Sequence, residues 1–211
     1  MSLQTSGLLH AGSFASLRRR HWFFDTTSVK YRNFFYRCRQ LLRGKLDLFY
    51  LADLSFSRSQ RSELHNLREA RLRETHSWLR QDLGYLQQAS YCAALIEQTT
   101  ETDTPLPLVF ELMAGLLTHL PLRTAEPKTI FAFELKLLDQ LGLSPALEKT
   151  KLNPGTRQIL KALTESDWPR AGQLRPSDAQ VKELNQFLHG FLIFHLGKIS
   201  KGRNAALNII T

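Results

Sequence analysis

No part of the sequence is apolar for long enough to span a bilayer, which takes roughly 20 predominantly apolar residues. The best run, residues 187–196, is interrupted by His189, Gly190 and His195, so a soluble protein is expected. Cysteine is nearly absent: Cys38 and Cys92 are the only two among 211 residues. With no secretory-signal pattern, they exclude a disulfide framework and read as small hydrophobes in a reducing compartment. The 11 glycines build no phosphate-cradling loop, no serine sits in a nucleophile elbow, and no cysteine pair has metal-ligand spacing. The histidines are dispersed. His65 and His76 would share a face only on one continuous helix, about 16 Å apart, and His189 and His195 fall on different faces of theirs; each is expected to be structural. The carboxylates are scattered, mostly within reach of a basic neighbour. No catalytic residue, cofactor or metal site is therefore expected, and the enzyme class is set aside.

Acid is also missing from one end. Residues 1–45 contain nine of the 28 basic residues (Arg18, Arg19, Arg20, Lys30, Arg32, Arg37, Arg39, Arg43, Lys45) but only one of the 19 acidic ones, Asp25. Eight of the nine excess positive charges thus lie in the first fifth of the chain. A segregated basic field suits a polyanion, because each neutralised phosphate releases condensed counterions. The same segment interleaves Phe14, Trp22, Phe23, Phe24, Tyr31, Phe34, Phe35 and Tyr36 and keeps neither a helical nor a strand period for long. Rings beside cations suit single-stranded nucleic acid. Equally, the rings can be strand residues packing a small barrel whose arginines are its solvated face, and the two readings are compatible. An organellar transit peptide and a segment lying on an anionic membrane stand beside them.

From residue 46 the pattern clears. Leu46, Leu48, Tyr50, Ala52, Leu54 and Phe56 alternate with Asp47, Phe49, Leu51, Asp53 and Ser55, the period of a strand with one buried face. Residues 57–62 (SRSQRS) are a polar connection, and 63–72 return as a second strand. Arg58 and Arg61 would project from the tip of this hairpin. Helical spacing follows: Leu79, Leu83, Leu86, Ala89, Ala93 and Ile96, then, after a break over 99–107, Val109, Leu112, Met113, Leu116 and Leu120. Residues 128–143 (KTIFAFELKLLDQLGL) predict a central helix buried on most sides, with Pro127 before its first turn and Gly142 as a left-handed cap. Asn153-Pro154-Gly155 reads as a turn, with Thr156 placed to cap a short helix through Leu163. Ser177 and Gln180 form a capping-box pair ahead of Val181, Leu184, Leu188, Phe191 and His195, and Gly197 ends that helix. Lys198, Lys201 and Arg203 lead into the tail. The helical core is expected to contain Phe131, Leu135, Leu138, Leu188 and Phe191, and the fold class is α+β.

Three pieces in this order and spacing, RGKLDLFYLADLSFSRSQRSELHNLREARLRETH (43–76), FELKLLDQLGLSP (133–145) and SDAQVKELNQFLHGFLIFHLGK (177–198), resemble the RecO family of bacterial recombination mediators. The resemblance covers the last four fifths of the chain. It implies an N-terminal OB-fold (here residues 1–74), a small β-barrel that binds DNA, joined to an all-α helical domain (75–211). It further implies binding of single- and double-stranded DNA, strand annealing, and help in loading recombinase onto DNA coated by the single-stranded-DNA-binding protein. Partners would be RecR, often RecF, and the acidic C-terminal tail of that coating protein, in a cytoplasmic, nucleoid-associated setting without a membrane. The expected DNA contacts are Arg18, Arg19, Arg20, Arg37, Arg39, Arg43, Lys45, Arg58 and Arg61. A groove for the acidic tail is expected on the central helix, floored by Phe133 and Leu137, with Lys128 or Lys136 meeting the terminal carboxylate.

Two departures from the family pattern matter. The cysteine-paired zinc ribbon that many members carry is missing, since residues 147–152 (LEKTKL) run almost directly into Asn153-Pro154-Gly155. At the other end, the first strands of the OB-fold cannot be traced before Arg43, with Gly7-Leu8-Leu9 as a remnant of the first. A rival function of another class is a helical interaction module that has lost DNA binding. The charge favours the first reading, because a decayed barrel has no reason to keep eight excess positive charges.

Overall fold

The computed structural model describes residues 2–9, 23–24, 47–57, 66–100 and 106–208. The chain divides into two compact units, one of Met1–Ser77 with Thr100–Phe110 and one of Trp78–Thr99 with Glu111–Thr211. The α+β class stands: strands precede helices along the chain.

In the first unit, strands β1 (Ser2–Leu9), β2 (Phe23–Phe24), β3 (Leu51–Ser57) and β4 (Asn66–Glu74) form one sheet in the order β2-β1-β3-β4. β1 runs antiparallel to β3, from Ser2 opposite Ser57 to Leu8 opposite Leu51, and parallel to β2. β3 and β4 are antiparallel, with register shifts at Leu51/Ala52 and Ser55/Phe56. The strand expected from residue 46 starts later. Residues 47–50 make a turn closed by Tyr50 N–H donating to the Asp47 carbonyl at 3.1 Å, with Phe49 at φ 59°. The alternation fails there: Leu48, expected inside, is 37% exposed, and Phe49, expected outside, is fully buried. A residue in left-handed backbone breaks the two-residue side-chain period, so parity cannot be carried through the turn. A second turn follows β4. The Glu74 carboxylate accepts from Thr75 N–H at 2.8 Å and His76 N–H at 3.0 Å, and His76, at φ 44°, has Nδ1 2.7 Å from the Phe49 carbonyl oxygen. The hydrogen bonds from His76 and Thr75 hold the Glu74 carboxyl below its ordinary range, while burial lowers the pKa of His76.

The second unit is helical. A 3-10 turn at Ser77–Arg80 precedes α1 (Leu83–Thr99), which begins where Asp82 Oδ1 accepts from Gly84 N–H at 2.7 Å and Tyr85 N–H at 3.3 Å. That break leaves Leu83 exposed, although it was expected on the buried stripe. Then come α2 (Pro107–His119), α3 (Pro127–Gln140), α4 (Pro154–Glu165), α5 (Trp168–Gln173), α6 (Asp178–Leu196) and α7 (Arg203–Ala206). The expected α2 stripe, Val109 through Leu120, is buried throughout. α3 packs against α1, α4, α5 and α6, and Ile130, Phe131, Leu135 and Leu138 are closed from solvent. It starts at Pro127, whose missing N–H costs nothing in a first turn, and ends as Gly142 turns left-handed (φ 71°) while Leu143 N–H donates to the Leu138 carbonyl at 2.8 Å. α6 has both halves of the Ser177–Gln180 capping box and stops at Gly197, φ 73°.

Two expectations in this unit need correction. Phe191 is only half-buried, and Leu192 takes its place in the core beside Leu184 and Leu188. Thr156 lies inside α4 rather than capping it. The helix starts at Pro154, and Glu183 from α6 accepts from the Asn153 N–H at 2.9 Å and from the Thr156 hydroxyl. α5 was not foreseen. Asp167 Oδ1 accepts from Arg170 N–H at 2.9 Å, and the Trp168 ring stacks on His119 at 5.7 Å. Close approach demands glycine on both sides: a Cβ on Gly115 would meet Trp168 Nε1 at 2.5 Å, and one on Gly172 would meet His119 Cε1 at 2.8 Å. Among the described residues no helix is long and apolar enough to cross a membrane.

Candidate functional site

The nine residues expected to contact DNA, Arg18, Arg19, Arg20, Arg37, Arg39, Arg43, Lys45, Arg58 and Arg61, lie outside the described residues. Of the sheet's described cations, Arg73 pairs with Asp53 on the neighbouring strand and Arg71 with Glu69 at 3.7 Å, and both arginines keep most of their side chain in solvent. Exposed pairs of this kind contribute about 0–1 kcal/mol.

The expected peptide groove on the central helix is not there. Phe133 and Leu137 are 0% and 1% exposed, so neither can floor an open surface. Lys128 is buried, donates to the Leu174 carbonyl at 2.8 Å and pairs with Glu126 at 2.7 Å. Half-buried Lys136 donates to the carbonyls of Thr164 and Ser166 at 2.8 and 2.5 Å. These are end groups of α4, where a cation is favoured by the unpaired carbonyls. Burial lowers the pKa of Lys136, against the pull of Asp167 and Asp139. The α3 stripe is wider than half a turn because α3 is surrounded by other helices, and side chains on such a helix are consumed by packing.

The polar centre of the helical unit is a cluster that sequence periodicity missed. Glu134, mid-way along α3 and fully buried, accepts at Oε1 from the Tyr91 hydroxyl (2.6 Å) and Arg203 Nε (2.7 Å), and at Oε2 from Arg203 Nη2 (3.0 Å). Arg203 Nη1 donates to Asn185 Oδ1 at 2.6 Å. One carboxylate and one guanidinium thereby join α1, α3, α6 and α7. Burial, then the Glu134 carboxylate, push the Tyr91 phenol well up; burial would lower Arg203, but the bidentate pairing with Glu134 raises it. Neither group can exchange a proton near neutrality, and every oxygen of the carboxylate is already occupied. The cluster is a tie between helices. Beside it, Gln88 Nε2 donates to the Glu126 and Ala206 carbonyls, each at 3.1 Å, further fastening α7. The signal in the sequence was a lone glutamate inside an otherwise apolar face, which needs a cationic partner somewhere; nothing local named Arg203.

Residues 80–150, which contain all of α1, α2 and α3, match the family model described as "Recombination protein O C terminal". A protein of Bacillus pumilus named "DNA repair protein RecO" is 31% identical over 172 residues, covering 66% of this chain and 67% of that relative. The chain belongs to the RecO family. Relatives of the same printed name from Pelobacter propionicus (35% identical over 85 residues) and Myxococcus xanthus (34% over 76) match 40% and 36% of the chain. The matched part spans only 35% and 31% of those two proteins. The family-model match includes Tyr91 and Glu134 but not Asn185 or Arg203.

Proposed function

We propose that this chain is a non-enzymatic DNA-binding protein of recombinational repair. It binds single- and double-stranded DNA, anneals complementary strands and helps load recombinase onto DNA coated by the single-stranded-DNA-binding protein. RecR, RecF and the acidic tail of the coating protein are its partners. DNA binding belongs to an OB-fold-like domain of residues 1–74, and residues 75–211 are the helical domain. Family membership supports the repair role. The observation that carries DNA binding is the charge: nine cations against Asp25 alone in residues 1–45, in a segment rich in rings. Phosphate contacts carry no sequence information and stacking tolerates every base, so binding is indifferent to sequence. The acidic tail needs a seat other than Lys128, Phe133, Lys136 and Leu137, which the core of the helical unit takes up.

Gel-shift and anisotropy titrations of the full chain with single- and double-stranded oligonucleotides test this reading. With about five single-strand phosphate contacts, the slope of log affinity against log salt is about −3.5, roughly −0.7 per contact. Reversing Arg18, Arg19 and Arg20 to Glu should flatten it by about two units. Unchanged affinity and slope would leave that cluster without a role, and absence of binding to any oligonucleotide would leave the helical interaction module as the better reading.

A further inference from the structure

The C-terminal half of α6 carries a row of rings that the core covers only in part. Phe187, Phe191 and His195 follow at four-residue spacing, with ring centroids 5.7 and 4.4 Å apart, and Phe194 sets its edge against His195 at 5.0 Å. Phe187 and Phe191 are half-buried, His195 is exposed, and Phe194 is 84% exposed, with Ile193 and His189 exposed alongside. Buried Leu184, Leu188 and Leu192 form the neighbouring row of the helix and hold it to the core, so the rings stand on a rigid support. Exposed Gly190 lies three residues from Phe187 and four from Phe194, and nothing comes within 4 Å of where its Cβ would be. The row therefore has an open notch between rings.

Charge points to the occupant. No Asp or Glu occurs after Glu183 anywhere in the chain, and Glu183 itself is engaged by Asn153 and Thr156. Lys198 and Lys201, just beyond the rings, are exposed. Large exposed aromatic faces rarely stand free on a surface without a partner. Rings with cations and no acid offer faces for unpaired bases and charges for their phosphates. A duplex, whose bases are already stacked, cannot use the rings.

We propose that this face of α6 is a stacking platform for single-stranded nucleic acid, separate from the basic N-terminal segment. The inference rests on the reading that the chain binds DNA and adds a second, ring-dependent contact on the helical unit. Its test uses the full chain with an iododeoxyuridine-substituted single strand: photo-cross-linked peptides are mapped by mass spectrometry, and affinity is read by anisotropy. Cross-links at Phe191, Phe194 or His195 are expected. Phe194→Ser should weaken single-strand binding about five- to a hundredfold while leaving duplex binding and the salt slope unchanged. Gly190→Leu, which fills the notch without removing a ring, should act in the same direction with the circular dichroism spectrum intact. Lys198→Glu with Lys201→Glu should instead flatten the slope, by roughly 0.7 per lost contact. Cross-links confined to residues 1–74, with Phe194→Ser binding as the unmodified chain does, would overturn the platform and leave the DNA-binding reading standing. A dimer dissociated by Phe194→Ser, or an acidic peptide whose binding alone is lost in that variant, would assign the face to a protein and also overturn it. Failure to bind any oligonucleotide would remove both.

Discussion

The cations of the two ends of the sequence keep different company. In the helical unit Lys128, Lys136 and Arg203 turn inward, and each is met by oxygen: the carbonyls of Leu174, Thr164 and Ser166, and the carboxylate of Glu134. From residue 46 onward the remaining 19 cations face 18 acids, whereas in residues 1–45 nine face one. A single lysine on a helix is therefore a poor sign of a ligand, because the fold can supply the acceptor. An excess carried by a whole segment has no carboxylate complement in that segment, and it is the better sign of an external polyanion.

The sharpest way to break this contrast is at Arg203. Arg203→Ala should cost about 3–5 kcal/mol in urea unfolding, because it strands the Glu134 carboxylate in the core. Pairing Arg203→Met with Glu134→Leu should return most of that loss, since a buried ion pair can often be replaced by apolar side chains of similar volume. A single-mutant cost near zero would mean that the cation is free after all. Leu138→Ala, on the same helix, should cost about 2–5 kcal/mol; a loss under about 0.5 kcal/mol would take α3 out of the core. Lys136→Met should cost about 1 kcal/mol through its two carbonyl bonds and leave affinity for an acidic, hydrophobic-ended peptide unaltered. A change in affinity at constant stability would return Lys136 to the list of ligand-binding cations.

The smallest effect concerns pH. His119, buried against Trp168 and Gly172, has its pKa below the ordinary 6.5, through burial first and then through Arg123 and Lys128. The unfolded chain then takes up its proton first as pH falls. Stability is full above pH 6.5 and declines as pH drops through that value towards the folded-state pKa. His76, lowered mainly by burial, acts in the same sense. Melting temperatures recorded from pH 7.5 down to 5.5 should therefore fall, and His119→Gln should make the fall shallower. An identical pH profile in that variant would clear His119.

Much of the helical unit is legible in the sequence. Pro127 and Gly142 bracket α3, Ser177, Gln180 and Gly197 bracket α6, and the α2 stripe is buried as its spacing required. In the sheet, the period-two segment found β3 and the expected return strand overlaps β4, although residues 47–50, included in the first of these strands, form a turn. Short α5 was announced only by Asp167 and Pro169, a signal that is weak without a hydrophobic stripe to extend it. Glu134 was passed over because helical periodicity counts apolar positions and has no place for a charge inside them. Of the candidate site, the basic residues of the first 45 were visible as composition, while the choice of lysines on α3 failed because exposure was inferred from residue type alone.

What the sequence by itself determined is local. Helix ends follow from Pro, Ser, Gln and Gly within one turn, and buried stripes follow from spacing, because both depend on interactions between residues at most four positions apart. Only tertiary structure decided which polar groups would be buried together. Glu134 meets Tyr91 across 43 positions and Arg203 across 69. A carboxylate can stay charged in an apolar core only if packing delivers hydrogen-bond donors to both its oxygens. That delivery depends on how four helices pack, so no pattern along the chain encodes it.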